Sequence, residues 1–101
     1  MSAQTLIATS IANIRTEKAQ GYLIQLCKHF GHKIEATFAD NKGRIAFGAG
    51  VCELNAEDAN VLRAQVSTTD ETQLATLEDV IARHLKRFAF KEELSVQWVR
   101  G

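Results

Sequence analysis

The sequence predicts an α+β fold: a two-layer sandwich in which a mostly antiparallel sheet carries two helices on one face, in the order β-α-β-β-β-β-α-β. Three observations predict it. Two segments repeat apolar residues at steps of three and four, which marks one face of a helix, and the segments around them alternate apolar with polar residues as half-buried strands do. One-sided strands need a cover for their apolar face, and two one-sided helices supply it. At 101 residues, 46% apolar and 24% charged, the chain has the size and composition of a single α+β domain over residues 1–101.

The elements follow in order. Thr5 to Ile14, rich in Ile, Thr and Leu, read as the first strand. Thr16 reads as the cap for a helix whose inner face is Ala19, Tyr22, Leu23, Leu26, Cys27 and Phe30, and Gly31 stands where a left-handed residue would end it. Gly21 inside this helix costs up to ~1 kcal/mol against Ala. Ile34, Ala36 and Phe38 then alternate with Lys33, Glu35 and Thr37, and Asp40-Asn41-Lys42-Gly43 is turn chemistry, since Asn and Gly tolerate positive φ.

Ile45 and Phe47 resume the apolar face, but across Gly48-Ala49-Gly50 the phase shifts to Cys52 and Leu54. The shift marks either a tight turn between two short strands or a glycine bulge within one long strand. The turn is favoured, because a strand unbroken from Arg44 to Asn55 would overrun its neighbours of about seven residues. After a polar loop from Ala56 to Asn60, Leu62, Ala64 and Val66 alternate with Arg63, Gln65 and Ser67. Asp70 with Gln73 makes a capping-box pattern ahead of a long helix with Leu74, Leu77, Ile81, Leu85 and Phe88 on its stripe. Leu94, Val96 and Trp98 read as the closing strand.

Composition excludes some functions. Lys plus Arg and Asp plus Glu each number 12, so the formal net charge is zero. Phosphate backbones are held by a surplus of basic side chains, so no nucleic acid is expected as the main partner. With no export signal and no apolar run near the ~20 residues of a membrane span, a cytoplasmic protein without membrane contact is expected. Cys27 and Cys52 lie on apolar faces and read as reduced core thiols; a thiolate at Cys27 would be disfavoured by the nearby helix C-terminus. No cofactor is expected, and no phosphate-cradling glycine loop supports an anion site, since Gly48-Ala49-Gly50 lacks the required helix behind it.

One feature of the chain is uneven. Segments 27–33 and 83–91 hold all three histidines and half of the Lys and Arg residues. Lys28, His29, His32, His84 and Arg87 are the candidate ligand-binding residues, suited to a small carboxylate or phosphate or to a protein partner. No paired-ligand metal spacing is present, so a metal site would have to be assembled from His29, His32 and His84. His84, on the same stripe as Ile81 and Phe88, reads more simply as a partly buried histidine bonded to a backbone carbonyl. Topology bears on whether these segments meet. Four strands between the helices would set them antiparallel with their basic ends apart, and three would bring the histidine-bearing ends together.

Cys27-Lys28-His29-Phe30 with His32-Lys33, the Gly-x-Gly-x-Cys-x-Leu run from Gly48 to Leu54, and His84-Leu85-x-Arg87-Phe88-Ala89-Phe90-x-Glu92-Glu93 occur in order. Over about Ile11 to Trp98 the chain thereby resembles domain of unknown function family 2218, a family of short bacterial proteins. The resemblance departs at Gly21, where similar sequences carry a longer polar side chain. It implies no activity or cofactor, but similar domains joined to siderophore-interacting flavoproteins imply a supporting role in iron acquisition. The expectation is therefore a non-enzymatic accessory or binding module. The alternatives are a small acid/base enzyme using His84 or His29 with Glu92 or Glu93, and a homodimeric interaction protein using the polar sheet face.

Overall fold

Alternation decides which side of each strand is buried, and a computed structural model describes the outcome for residues 8–101. Strand β1 (Ala8–Arg15) buries Ser10, Ala12 and Ile14 and exposes Asn13 and Arg15. The part of the predicted first strand before Ala8 lies outside the described residues. β5 (Val61–Thr68) buries Leu62, Ala64 and Val66 and pairs antiparallel along all of β1, from Ala8 opposite Thr68 to Arg15 opposite Val61. With β2 (Ala36–Ala39), β3 (Lys42–Phe47), β4 (Gly50–Asn55) and β6 (Val99–Arg100) they form a six-stranded antiparallel sheet in the order β2-β3-β4-β5-β1-β6.

Two hairpins set the register of the meander. Asp40 and Asn41 take positive φ, 53° and 64°, in the two-residue loop between the paired Ala39 and Lys42. Positive φ at both loop positions matches the twist of the strands, and Asn and Asp adopt it more readily than other side chains. Gly48 and Ala49 link the paired Phe47 and Gly50, so the phase shift is the favoured turn and not a bulge.

The helices cover one face of the sheet. α1 (Ala19–Phe30) buries Ala19, Tyr22, Leu23, Leu26 and Cys27, as its spacing predicts. Thr16 does not cap it, for Lys18 holds the cap position without a side-chain bond, and Thr16 Oγ1 accepts the Lys18 N–H just ahead of the helix. α1 packs close over Gly43 in β3, for a Cβ there would stand 2.7 Å from Cys27 Sγ and 3.2 Å from Leu23 Cδ2. Gly31 departs from expectation: it is right-handed, with φ −62° and ψ −13°. Its N–H bonds the Cys27 carbonyl, and the N–H groups of Lys33 and Ile34 both bond that of Phe30. Those bonds close the helix end, so no left-handed residue is required.

A 3-10 turn, Glu71–Gln73, leads into α2 (Leu74–Phe88). Asp70 Oδ1 accepts from the Thr72 N–H and hydroxyl, while the Gln73 side chain makes no cap bond, so half of the predicted capping box forms. α2 buries Leu74, Leu77, Ile81 and Leu85, with Phe88 packed at the margin. These residues join Ile14, Leu23, Leu26, Ile45, Leu62 and Val66 in one core.

Two expectations fail at the sheet edges. Phe38, read as a core residue, is 41% exposed. It stands on the edge strand, and its partner across the ladder is Gly43, which offers no side chain to pack against. The closing strand is shorter and later than predicted: only Val99 and Arg100 enter the ladder, opposite Ile11 and Ser10. Leu94 is nevertheless buried, and Val96 and Trp98 pack against the core between exposed Ser95 and Gln97. The alternation marks inward-facing side chains, and Leu94, Val96 and Trp98 face inward without ladder partners.

Two polar contacts hold this final segment. The Tyr22 hydroxyl donates to Glu92 Oε2. Burial first, and then this bond, push the Tyr22 phenol up to about 12, and Tyr22 in turn holds the Glu92 carboxyl below its ordinary range. Arg100 donates Nε to Glu78 Oε2 at 3.2 Å and Nη2 to Glu78 Oε1 at 2.9 Å, tying β6 to α2. Burial alone would raise the Glu78 carboxyl, but the Arg100 hydrogen bonds, the neighbouring Ser10 and the Arg100 charge together hold it below its ordinary range. A carboxyl depressed by folding stabilises the fold above its unfolded pKa, and that contribution is lost as pH falls through the folded value. Urea unfolding between about pH 6 and 3 should therefore show stability declining below the ordinary glutamate range, and Arg100→Gln should flatten that decline. An identical pH profile in the two proteins would exclude this contact as its source.

Candidate functional site

β1 and β5 are antiparallel, and the helices that follow them run in opposite senses, yet the histidine-bearing segments meet. The ring centres of His29 and His84 are 4.9 Å apart, with the rings tilted by 50°. This corrects the topological expectation. His84 lies one turn before the end of α2 and Phe88 ends it, and both rings lie against His29, so the two helices overlap through their C-terminal portions. Antiparallel helices offset along their axes bring such ends side by side, and strand count alone does not fix that offset.

A collar of phenylalanines fixes the two rings. Phe30 lies 5.1 Å from His29 and 4.9 Å from His84, Phe88 lies 5.7 Å from His29, and Phe47 of β3 backs Phe30 at 5.2 Å. Three of these contacts are edge-on, the arrangement that aromatic quadrupoles favour. His84 is half-buried and its Nδ1 stands 2.7 Å from the Val80 carbonyl oxygen, as the simpler reading expects. A carbonyl only accepts, so Nδ1 carries the proton and Nε2 holds the free lone pair of the neutral ring.

The charge around the pair is positive. The His29 imidazole is pushed below its usual 6.5, by burial first and then by the charges of His84, His32, Arg87 and Lys33. Of the candidates, His84 touches His29, while His32 and Arg87 bear on it through their charge. Lys28 is exposed in the last turn of α1 and is not among the groups bearing on His29; Lys33 takes its place there. Its position in the Cys27 to Lys33 run was visible in the sequence, but which lysine faced the histidines depended on how the chain left α1.

Chemistry foreseen elsewhere is differently disposed. The Glu92 carboxylate is engaged by Tyr22 and so does not orient a histidine as the acid/base alternative requires. A groove of about 640 Å³ runs beside α1, lined among others by Lys18, Gly21, Tyr22, Gln25, Phe88 and Phe90, and no histidine lines it. Cys27 and Cys52 are buried free thiols, both pushed up by burial, as expected of core cysteines. Cys27 Sγ–H also donates to the Thr37 carbonyl at 3.7 Å. Among the described residues no group of three or more His, Cys, Asp or Glu side chains is arranged to hold a metal ion, so His29, His32 and His84 do not form a three-ligand centre. No helix of the described chain is long and apolar enough to cross a membrane.

Comparison with known proteins agrees with the fold. The family described as "Uncharacterized protein conserved in bacteria (DUF2218)" matches residues 11–99. The NMR structure of PA4090 from Pseudomonas aeruginosa is similar over 92% of this chain and 96% of that one, with 38% identity and a TM-score of 0.78. No curated protein matches.

Proposed function

We propose, for this chain, which belongs to the bacterial family DUF2218, a non-enzymatic role as a binding module for a small carboxylate or phosphate ligand. The observation that carries the reading is the contact of His29 with His84, with the charges of Arg87, His32 and Lys33 also bearing on His29 in a chain of zero net charge. An anion is attracted by such a cluster, and the Arg87 guanidinium suits the planar, two-oxygen edge that carboxylates and phosphates present. The phenylalanine collar supports the reading by fixing the rings before a ligand arrives, which reduces the ordering cost of binding.

NMR titration of metal-free protein with inorganic phosphate and with acetate tests this. Resonances of His29, His84 and Arg87 are expected to shift together and to saturate. Arg87→Ala should weaken the response by about tenfold, the ~1.4 kcal/mol that one charge-assisted hydrogen bond supplies. Silence at all three residues would remove the proposal.

A further inference from the structure

We propose that His29 and His84 form a two-imidazole site for a borderline divalent transition metal, Cu²⁺ or Ni²⁺, whose remaining coordination positions stay open to water and small anions. The inference goes beyond the anion-binding reading and does not depend on it. Geometry carries it. A metal–nitrogen bond of about 2.0–2.1 Å places two imidazole ring centres about 4.5–5.3 Å apart when they coordinate side by side at 90–110°. The observed separation is 4.9 Å, and the 50° tilt departs from face-to-face stacking.

The second argument is the preset tautomer. Metal-bound histidines donate their other ring N–H to a carboxylate, a carbonyl or water, which fixes both ring and lone pair. His84 already makes that bond to the Val80 carbonyl, at 2.7 Å, leaving Nε2 as the donor atom. His29 is exposed, so an incoming ion reaches its ring from solvent. Phe30 and Phe88 wall the pair, giving the apolar outer shell that holds ligating rings in place.

Ligand type selects the metal. Imidazole suits Cu, Ni and Zn, and affinity rises toward Cu²⁺ along the first row, whereas Mg²⁺ and Ca²⁺ require oxygen donors. Among the described residues no third His, Cys, Asp or Glu completes the set, so the protein supplies two ligands and leaves the others to solvent or an anion. Arg87, His32 and Lys33 oppose a bare dication but favour one carrying an anionic co-ligand.

The test is titration of the folded protein with CuCl₂ in a non-coordinating buffer, read by electron paramagnetic resonance and d–d absorption. Wild type is expected to show a copper signal with splitting from two nitrogen ligands and no competition from Mg²⁺. His29→Ala and His84→Ala should each lose the two-nitrogen pattern and weaken binding by more than about 100-fold, since changes even to outer-shell partners cost about 10–100-fold. His32→Ala should retain both. Circular dichroism of each variant separates loss of the site from loss of the fold. A two-nitrogen signal that survives both single substitutions, or no copper binding by folded wild type, overturns the proposal. Phosphate titration of the metal-free protein reads the anion site separately, so either idea is able to fail alone.

Discussion

Gly50→Ala is expected to destabilise the fold by about 3 kcal/mol, the upper end of the usual cost of overpacking. A Cβ at Gly50 would stand 2.2 Å from the Ser67 carbonyl oxygen and 2.9 Å from Thr68 Cγ2. The first of these is backbone in β5, so no side-chain rotation relieves it and the β4–β5 ladder must open at its end. Backbone conformation is not the obstacle, because no glycine among the described residues has positive φ. Gly48, two residues away in the same hairpin, is the control: nothing lies within 4 Å of a Cβ built there. Gly48→Ala should be neutral or stabilise by about 0.4–1 kcal/mol through the unfolded state. Thermal unfolding checks both, at roughly 4–8 °C per kcal/mol for a domain of this size. Equal effects at the two positions would contradict the close approach of β4 to β5.

Ile81→Ala is expected to cost about 2–5 kcal/mol, the range for emptying a fully buried aliphatic site. Ile81 is 0% exposed in the middle of α2, and the core it joins includes Ile14 of β1 and Leu62 of β5. Chemical denaturation should show the loss as a lower midpoint with an unchanged slope, the sign of one cooperative unit. Phe38→Ala, by contrast, should fall within about 0.5 kcal/mol, the usual limit for surface positions, because Phe38 is 41% exposed. A large effect at Phe38 and a small one at Ile81 would mean that the two layers meet elsewhere.

The legible parts of the sequence were those in which one side of an element faces the core. Leu23, Leu26, Ile81 and Leu85 are buried as the helical spacing requires, and Leu62, Ala64 and Val66 as the alternation requires. Strand ends were less legible, since pairing depends on a partner that periodicity does not describe. Leu94 to Trp98 alternate because one side of that segment packs inward, and they do so without joining the ladder. Glu78 is a missed residue with a visible signal. It falls four places after Leu74 and three before Ile81, within the apolar stripe, and a carboxylate there requires a partner; Arg100 is that partner. Tyr22 and Glu92 gave no comparable signal, for nothing local links residues so far apart.

The candidate site was legible in its parts and not in its assembly. Segments 27–33 and 83–91 stood out by composition, and His84 bonded to a backbone carbonyl is what a partly buried imidazole requires. That His29 reaches His84 depends on how far α1 and α2 slide past each other, a quantity set by the packing of Phe30, Phe47 and Phe88. Periodicity along one helix carries no record of its offset against another.

The placement of β1 between β5 and β6 has a kinetic consequence. The strands from β2 to β5 are joined by short connections and pair with successive neighbours, whereas β1 pairs with β5 and β6, both far from it along the chain. Closing such distant pairings bears the larger entropic cost, so the meander is expected to form first and β1 to dock late.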